Sequence, residues 1–126
     1  MGPHLSFTAV VLDGPDAGAL AAFYRRLLGW EVAAEEPGWV KLVPPGGGAG
    51  LSFATEPDYV RPTWPSTPEA QQMMLHLDFE VADLTEATAH ALTCGATLAD
   101  HQPQPDVHVL LDPAGHPLCL WTPTTP

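Results

Sequence analysis

Cationic side chains are scarce in this chain: four Lys and Arg stand against fifteen Asp and Glu, for a formal charge of −11. A field of that sign opposes DNA, RNA and anionic membranes, so neither a nucleic-acid nor a membrane partner is expected. The same field favours cationic small molecules or a basic partner, and it also keeps a protein in solution. Cysteine is nearly absent. Cys94 and Cys119 are far apart with no C-x-x-C spacing, so neither a disulfide framework nor a zinc knuckle is indicated, and buried free thiols are expected. No apolar run approaches the roughly 20 residues that span a bilayer, and "MGPHLSFTAV" lacks the basic start and apolar stretch of a signal peptide. The expected compartment is the cytoplasm. Nucleophile elbow, phosphate loop and serine triad are all missing, since "PPGGGAG" has neither the lysine nor the following helix of a P-loop.

With 126 residues, 45% of them hydrophobic, the chain has enough material for one domain with a real core, 1–126, and too little for two ordinary ones. Proline is abundant, with fifteen in the chain. Four of them, Pro57, Pro62, Pro65 and Pro68, fall in "EPDYVRPTWPSTPEAQQ", which predicts an ordered, non-helical linker over 56–72.

The linker divides two stretches of the same plan. In "VVLDGPDAGALAAFYRRLLGWEV" a short strand precedes Asp16 as N-cap, an apolar stripe at Ala17, Leu20, Phe23, Tyr24, Leu27 and Leu28, and Gly29 as the stop. In "LDFEVADLTEATAHALTCGATL" a strand precedes Asp83 as N-cap, Glu86 three residues on, a stripe through Leu84, Ala87, Ala91 and Leu92, and Gly95 as the stop. A constant offset of 67 (83 minus 16) also carries Val40 to Val107 and Leu51 to Leu118. Three strand-like runs follow each helix: "WEVAA", "WVKLV", "GLSFA", and then "ATLAD", "VHVLL", "PLCLW". The pattern predicts an α+β fold of two tandem β-α-β-β-β modules, residues 5–55 and 73–122.

Within "QQMMLHLDFEVADL", residues 71–84, Leu75, Leu77, Phe79 and Val81 hold one parity and Met74, His76, Asp78 and Glu80 the other. Side chains alternate across a strand, so one face is apolar and meets the helices while the other is ionisable. The 67-residue register places Phe7, Ala9, Val11 and Asp13 on the equivalent face of the first module, joined by Ser52 and Cys119 and by Ala54 and Trp121 from the last strands. Asp78 could orient His76 as a general-base pair, or it could bind a turn or face water; a strand histidine is also an ordinary structural residue.

The doubled plan, the "AFYRRLLGWEV" helix end, "HLDFEVADL" and the closing "DPAGHPLCLW" together resemble the vicinal oxygen chelate superfamily, and its short glyoxalase-like branch most of all. That group includes glyoxalase I, extradiol dioxygenases, fosfomycin-resistance enzymes and bleomycin-binding proteins. The resemblance implies a curled mixed sheet around a concave cavity, with helices on its outer face. It also implies metal ligands on the first and last strand of each module, and here those positions hold Ala9, Ser52, His76 and Cys119. Only His76 suits a hard or borderline divalent ion; Ala9 has no donor, Ser52 is a poor one and Cys119 favours a soft ion such as zinc.

The expectation is therefore no metal and no cofactor, with catalytic candidates His76 and Asp78. The cavity would be lined by Phe7, Ala9, Val11, Ser52, Met74, Glu80, Cys119 and Trp121, with Tyr59 and Trp64 of the linker as a lid or a dimer contact. Mixed walls of this kind suit a small organic molecule with an aromatic body and a polar or cationic end. The alternative is an enzyme, either a lyase or isomerase using His76 and Asp78 or a zinc variant using His76, Cys119 and a loop ligand. A homodimer is expected, because proteins of this kind commonly pair over the cavity and open sheet edges invite a partner.

Overall fold

Asp16 starts the first helix as its chemistry requires: its backbone is extended and its Oδ1 accepts the Ala19 N–H at 3.1 Å, satisfying one donor of the exposed first turn. Gly29 ends that helix in the left-handed region at φ 71°, with its N–H bonded to the Arg25 carbonyl. A computed structural model describes residues 2–123 of the chain. Its contacts divide it at Pro57/Asp58 into two units.

The first unit runs β1 (Ala9–Gly14), α1 (Ala17–Leu28), β2 (Glu31–Glu36), β3 (Trp39–Val43) and β4 (Gly50–Thr55), in a mixed sheet of order β1-β4-β3-β2. Leu12, Leu20, Phe23, Tyr24, Leu42 and Phe53 are at most 1% exposed and form the core between helix and sheet. Tyr24 stacks on Phe53 at 5.3 Å between ring centroids and meets the edge of Phe23. Gly50 is demanded by space, since a Cβ there would run into the Leu42 carbonyl.

The second unit repeats the order: β5 (Leu77–Glu80), α2 (Leu84–Cys94), β6 (Thr97–Leu98), β7 (Val107–Leu111) and β8 (Pro117–Trp121), in a sheet of order β5-β8-β7-β6. Asp83 caps α2 by accepting the Glu86 N–H at 3.0 Å, and Gly95 closes it. Leu118, Leu120 and Leu110 are buried with Ala91 of the helix. Thr88 of α2 is hydrogen-bonded to His108 Nδ1 at 2.8 Å, which makes His108 a half-buried structural residue.

The duplication holds at the level of the ladder. In the first unit Val11 is paired with Ser52, and in the second Asp78 is paired with Cys119, each pair a parallel neighbour 67 residues from its counterpart (78 minus 11, 119 minus 52).

Two expectations need correction. The strand read from residues 73–76 onward begins only at Leu77, and Leu75, expected against the helices, is 40% exposed. In this register the position opposite His76 is Pro117, which has no N–H to give, so the ladder cannot extend further. The run "ATLAD" forms a strand over two residues only, Thr97–Leu98.

The linker packs with the second unit as an ordered strap, without helix or strand. Tyr59 donates its hydroxyl to the Ala114 carbonyl at 2.8 Å, Arg61 Nη1 donates to Pro113 at 2.9 Å, and Trp64 Nε1 donates to His101 at 2.9 Å. The turn that receives it is built on Asp112, which is 1% exposed and whose carboxylate accepts the N–H groups of Ala114 and His116.

Candidate functional site

The second unit's sheet has one face on α2 and another that carries its chemistry. Leu118 and Leu120 turn to the helix, so Cys119 and Trp121 point the other way, beside Asp78 and Glu80 on the neighbouring strand. His76 immediately precedes β5 and shares the parity of Asp78. Its Nε2 lies 3.3 Å from Asp78 Oδ1, with the two side chains 41% and 60% exposed. Cys119 supplies the third corner, and the donor atoms of His76, Asp78 and Cys119 all lie within 4.8 Å of one another. The pairing expected from parity is therefore present, and a thiol joins it.

The three groups differ in solvation. Cys119 sits on the central strand and is 9% exposed. Burial pushes its thiol up to about 11, and the negative charge of Asp78 and a hydrogen bond to that carboxylate push it in the same direction. It is a neutral thiol at physiological pH. Asp78 thus touches an imidazole on one side and a thiol on the other.

Trp64 lies against this face. Ala99, Val109 and Cys119 form a buried cluster, with Trp64, Val107 and Leu111 packed against it. The hairpin beneath is held by Gln102, whose Nε2 donates to the carbonyls of Ala99 and Val109, both at 2.8 Å, while its Oε1 accepts the Val109 N–H at 2.9 Å. Gln102 carried no sequence signal, and the sequence placed Asp78 and Cys119 on one face without pairing them.

Among the remaining expected residues, Glu80 and Trp121 are paired on the same face, Glu80 exposed and Trp121 half-buried. Met74 is 91% exposed and precedes the strand. The hydroxyl of Tyr59 is committed to Ala114 and stands 3.3 Å from His116 Nε2, which makes this residue a strut of the strap. The first unit holds Phe7, Ala9, Val11 and Ser52. Phe7 precedes β1 and is 71% exposed, Val11 is 51% exposed, and Ser52 is closed to solvent. On the other side of that sheet a groove of about 520 Å³ is lined by α1, β2 and β3, with Ala21, Val40 and Leu42 among its walls and Arg25, Arg26 and Glu35 as its charges.

A four-donor centre for a hard dication does not fit these residues. Ala9 offers no donor and Ser52 only a buried hydroxyl, while Cys119 offers sulfur where hard ions take oxygen. Among the described residues no helix is long and apolar enough to cross a membrane.

A family model described as a glyoxalase-like domain matches residues 9–121. No curated protein matches the chain significantly. Among solved structures, a glyoxalase/bleomycin resistance protein/dioxygenase family enzyme from Burkholderia phytofirmans is similar at TM-score 0.69 and 18% identity, covering 94% of this chain and 98% of that one. TnmS3, an antibiotic binding protein from a Streptomyces species, is similar at TM-score 0.65 and 18% identity over 98% of this chain and 100% of that one. A lactoylglutathione lyase from Agrobacterium tumefaciens is similar at TM-score 0.59 and 18% identity, with 96% of each chain covered. At such identities these likenesses speak for the fold, and the family match agrees with them: the chain belongs to the glyoxalase-like domain family of the vicinal oxygen chelate superfamily.

Proposed function

We propose that this protein binds a small organic molecule with an aromatic body and a polar or cationic end, on the helix-free face of the second unit's sheet, without a metal among the ligand contacts. The observation that carries this reading is the juxtaposition on one face of Trp121 with Asp78 and Glu80, next to His76, with the indole of Trp64 packed against the cluster that contains Cys119. Aromatic surface beside exposed carboxylates attracts an organic cation, and the net charge of −11 adds a long-range field of the same sign. That a structural neighbour is an antibiotic binding protein supports the ligand class.

Intrinsic tryptophan fluorescence tests it. Cationic aromatic antibiotics, neutral aromatics and anionic metabolites are titrated in turn, and each compound is recovered afterwards. The expected result is saturable quenching, strongest for cations, weakened by salt and lost in Trp121→Ala, with the compound returned unchanged. Preference for anions would refute it.

A second reading, a lyase or isomerase, is favoured by the 3.3 Å approach of His76 Nε2 to Asp78, which suits a general-base pair. Recovery of a modified compound, with His76→Ala abolishing turnover more than binding, would establish it. The proposed working form is a cytoplasmic homodimer. The edge strand β2 is exposed along its whole length and offers unpaired backbone, and sedimentation at micromolar concentration giving a monomer mass would refute the dimer.

A further inference from the structure

We propose that the groove between α1, β2 and β3 of the first unit binds a small organic monocarboxylate, its acid group held by Arg25 and Arg26 and its apolar body laid along the helix. The site is built from other elements than the organic-cation face, takes the opposite charge, and does not rest on that reading.

The space comes from what the helix withholds. Gly18, Ala21, Ala22 and Arg25 recur at helical spacing along one wall, and the first three bring a methyl group or no side chain at all. The floor is apolar: Ala21, Val40 and Leu42 are at most 5% exposed. The volume of about 520 Å³ falls in the range of roughly 300–1,000 Å³ that small organic ligands occupy.

A bulge re-aims the opposite wall. Val32 pairs with Leu42 and Glu35 with Val40, although Val32 and Glu35 are three residues apart and regular alternation would put them on opposite faces. The register shift between Val32 and Ala34 inserts one extra residue and brings both side chains to the groove.

Charge decides the occupant. Of the chain's four Lys and Arg, two border this groove, Arg25 and Arg26 in the last turn of α1. A net charge of −11 repels anions at long range, so an anion is retained only where guanidinium groups meet it in contact, inside a Debye length of ~8 Å. Guanidinium suits a carboxylate, which it takes through paired N–H donors. Because α1 ends at Leu28 and β2 opens at Glu31, Val32 stands by the arginines and Glu35 lies farther along, about 10 Å at ~3.3 Å per residue. A second carboxylate on the ligand would therefore meet Glu35, and the groove favours monoacids over diacids.

The repeated fold does not account for these cations. In the 67-residue register Arg25 and Arg26 answer to Leu92 and Thr93 (92 minus 25, 93 minus 26), and the last turn of α2 has no basic residue. The helix dipole, which favours cations at either helix C-terminus, is common to both. The anion site is thus particular to the first unit.

The test titrates the isotope-labelled full chain with sodium octanoate and follows amide shifts by NMR. The expected result is saturable shifts at Ala21, Ala22, Arg25, Val32 and Val40, with none there from octanol, acetate or octylammonium at equal concentration. Suberate, the diacid of the same length, should bind roughly fivefold more weakly or worse, and Arg25→Gln should weaken octanoate by a similar factor. Ala22→Leu, which fills the groove, should abolish binding; if that variant does not fold, the exposed Arg25→Gln decides. The two ligand readings fail separately, because each is read at amides of its own unit. Octanoate shifts confined to the second unit, equal binding of octanol, or undiminished binding by Arg25→Gln would each overturn the proposal. So would groove shifts that change with protein concentration before octanoate is added, the mark of a second copy seated there.

Discussion

Gln102→Glu is nearly isosteric, yet it reverses the polarity of one atom that holds the site's hairpin together. In the native protein Nε2 donates to the carbonyls of Ala99 and Val109 at 2.8 Å each, and Oε1 accepts the Val109 N–H at 2.9 Å. A carboxylate keeps the acceptor and turns the two donated bonds into oxygen–oxygen contacts. The repulsion is capped, because Gln102 is exposed on its outer side and the new side chain can swing into water. What it then forfeits is what Gln102→Ala forfeits: three hydrogen bonds, with the N–H of Val109, a residue 1% exposed, left without its partner. Water reaches part of the amide, so the loss is about 1–2 kcal/mol rather than the sum of three buried bonds. In a unit of this size that is roughly 4–8 °C in melting temperature for each kcal/mol. Both variants should fall together at neutral pH by circular dichroism. The Glu variant alone should recover part of the loss as pH drops below about 4, where a protonated carboxyl regains one donor. Tryptophan emission should shift in both, since the neighbouring His101 carbonyl holds the Trp64 indole. Native-like melting in both variants would refute the assignment.

Further outcomes follow from two buried groups of the second unit, Cys119 and Asp112. In metal-stripped protein, alkylation of Cys119 should rise with pH through about 11 instead of 9.0, so that near pH 8 it is about 100-fold slower than for an unperturbed thiol of equal access. Because the neutral form is the favoured one, the stability it contributes is complete below the ordinary value and is lost as pH climbs toward 11. Asp78→Ala removes the charge and hydrogen-bond causes and leaves burial, so the inflection should fall yet stay above 9.0; an unchanged profile would exclude the contact. Asp112→Ala should cost about 2–4 kcal/mol in urea unfolding, because it leaves the amides of Ala114 and His116 without their acceptor in the turn that anchors Tyr59 and Arg61. A stability equal to the native protein's would show that the carboxylate is dispensable.

Much of the architecture was legible because it is written twice. Asp16 and Asp83 both cap helices and Gly29 and Gly95 both end them, but the stripe read for the second helix is only partly right: Ala91 is buried with Thr88 and Cys94, while Leu92 is 43% exposed. The parity of Leu77, Asp78, Phe79 and Glu80 was likewise readable, since alternation survives wherever a ladder partner exists. It failed at Leu75, where Pro117 stops the ladder, and no local pattern in residues 71–76 announces a proline forty residues away in sequence. The linker was readable as non-periodic, but its anchorage was not. Tyr59, Arg61 and Trp64 each reach a backbone carbonyl, and carbonyls carry no residue identity that a sequence could display.

The same ladder position has been filled differently in the two units, and the difference decides where chemistry resides. Val11 beside Ser52 gives the first unit a methyl-bearing side chain and a buried hydroxyl, a pair that neither titrates near neutrality nor binds a metal well. Asp78 beside Cys119 gives the second unit a charge and a sulfur at the homologous place, and His76 adds an imidazole within 3.3 Å of that charge. Backbone geometry cannot account for the contrast, because both pairs are parallel neighbours in matching sheets. Side-chain identity alone does. It follows that grafting Asp and Cys onto Val11 and Ser52 would reproduce the ladder pair without an imidazole, Ala9 standing at the position that answers to His76. Such a variant should carry a carboxylate-flanked thiol at residue 52 that alkylates more slowly than an unperturbed thiol of equal access. Alkylation at the ordinary rate would show that the ladder pair alone does not set the thiol's protonation.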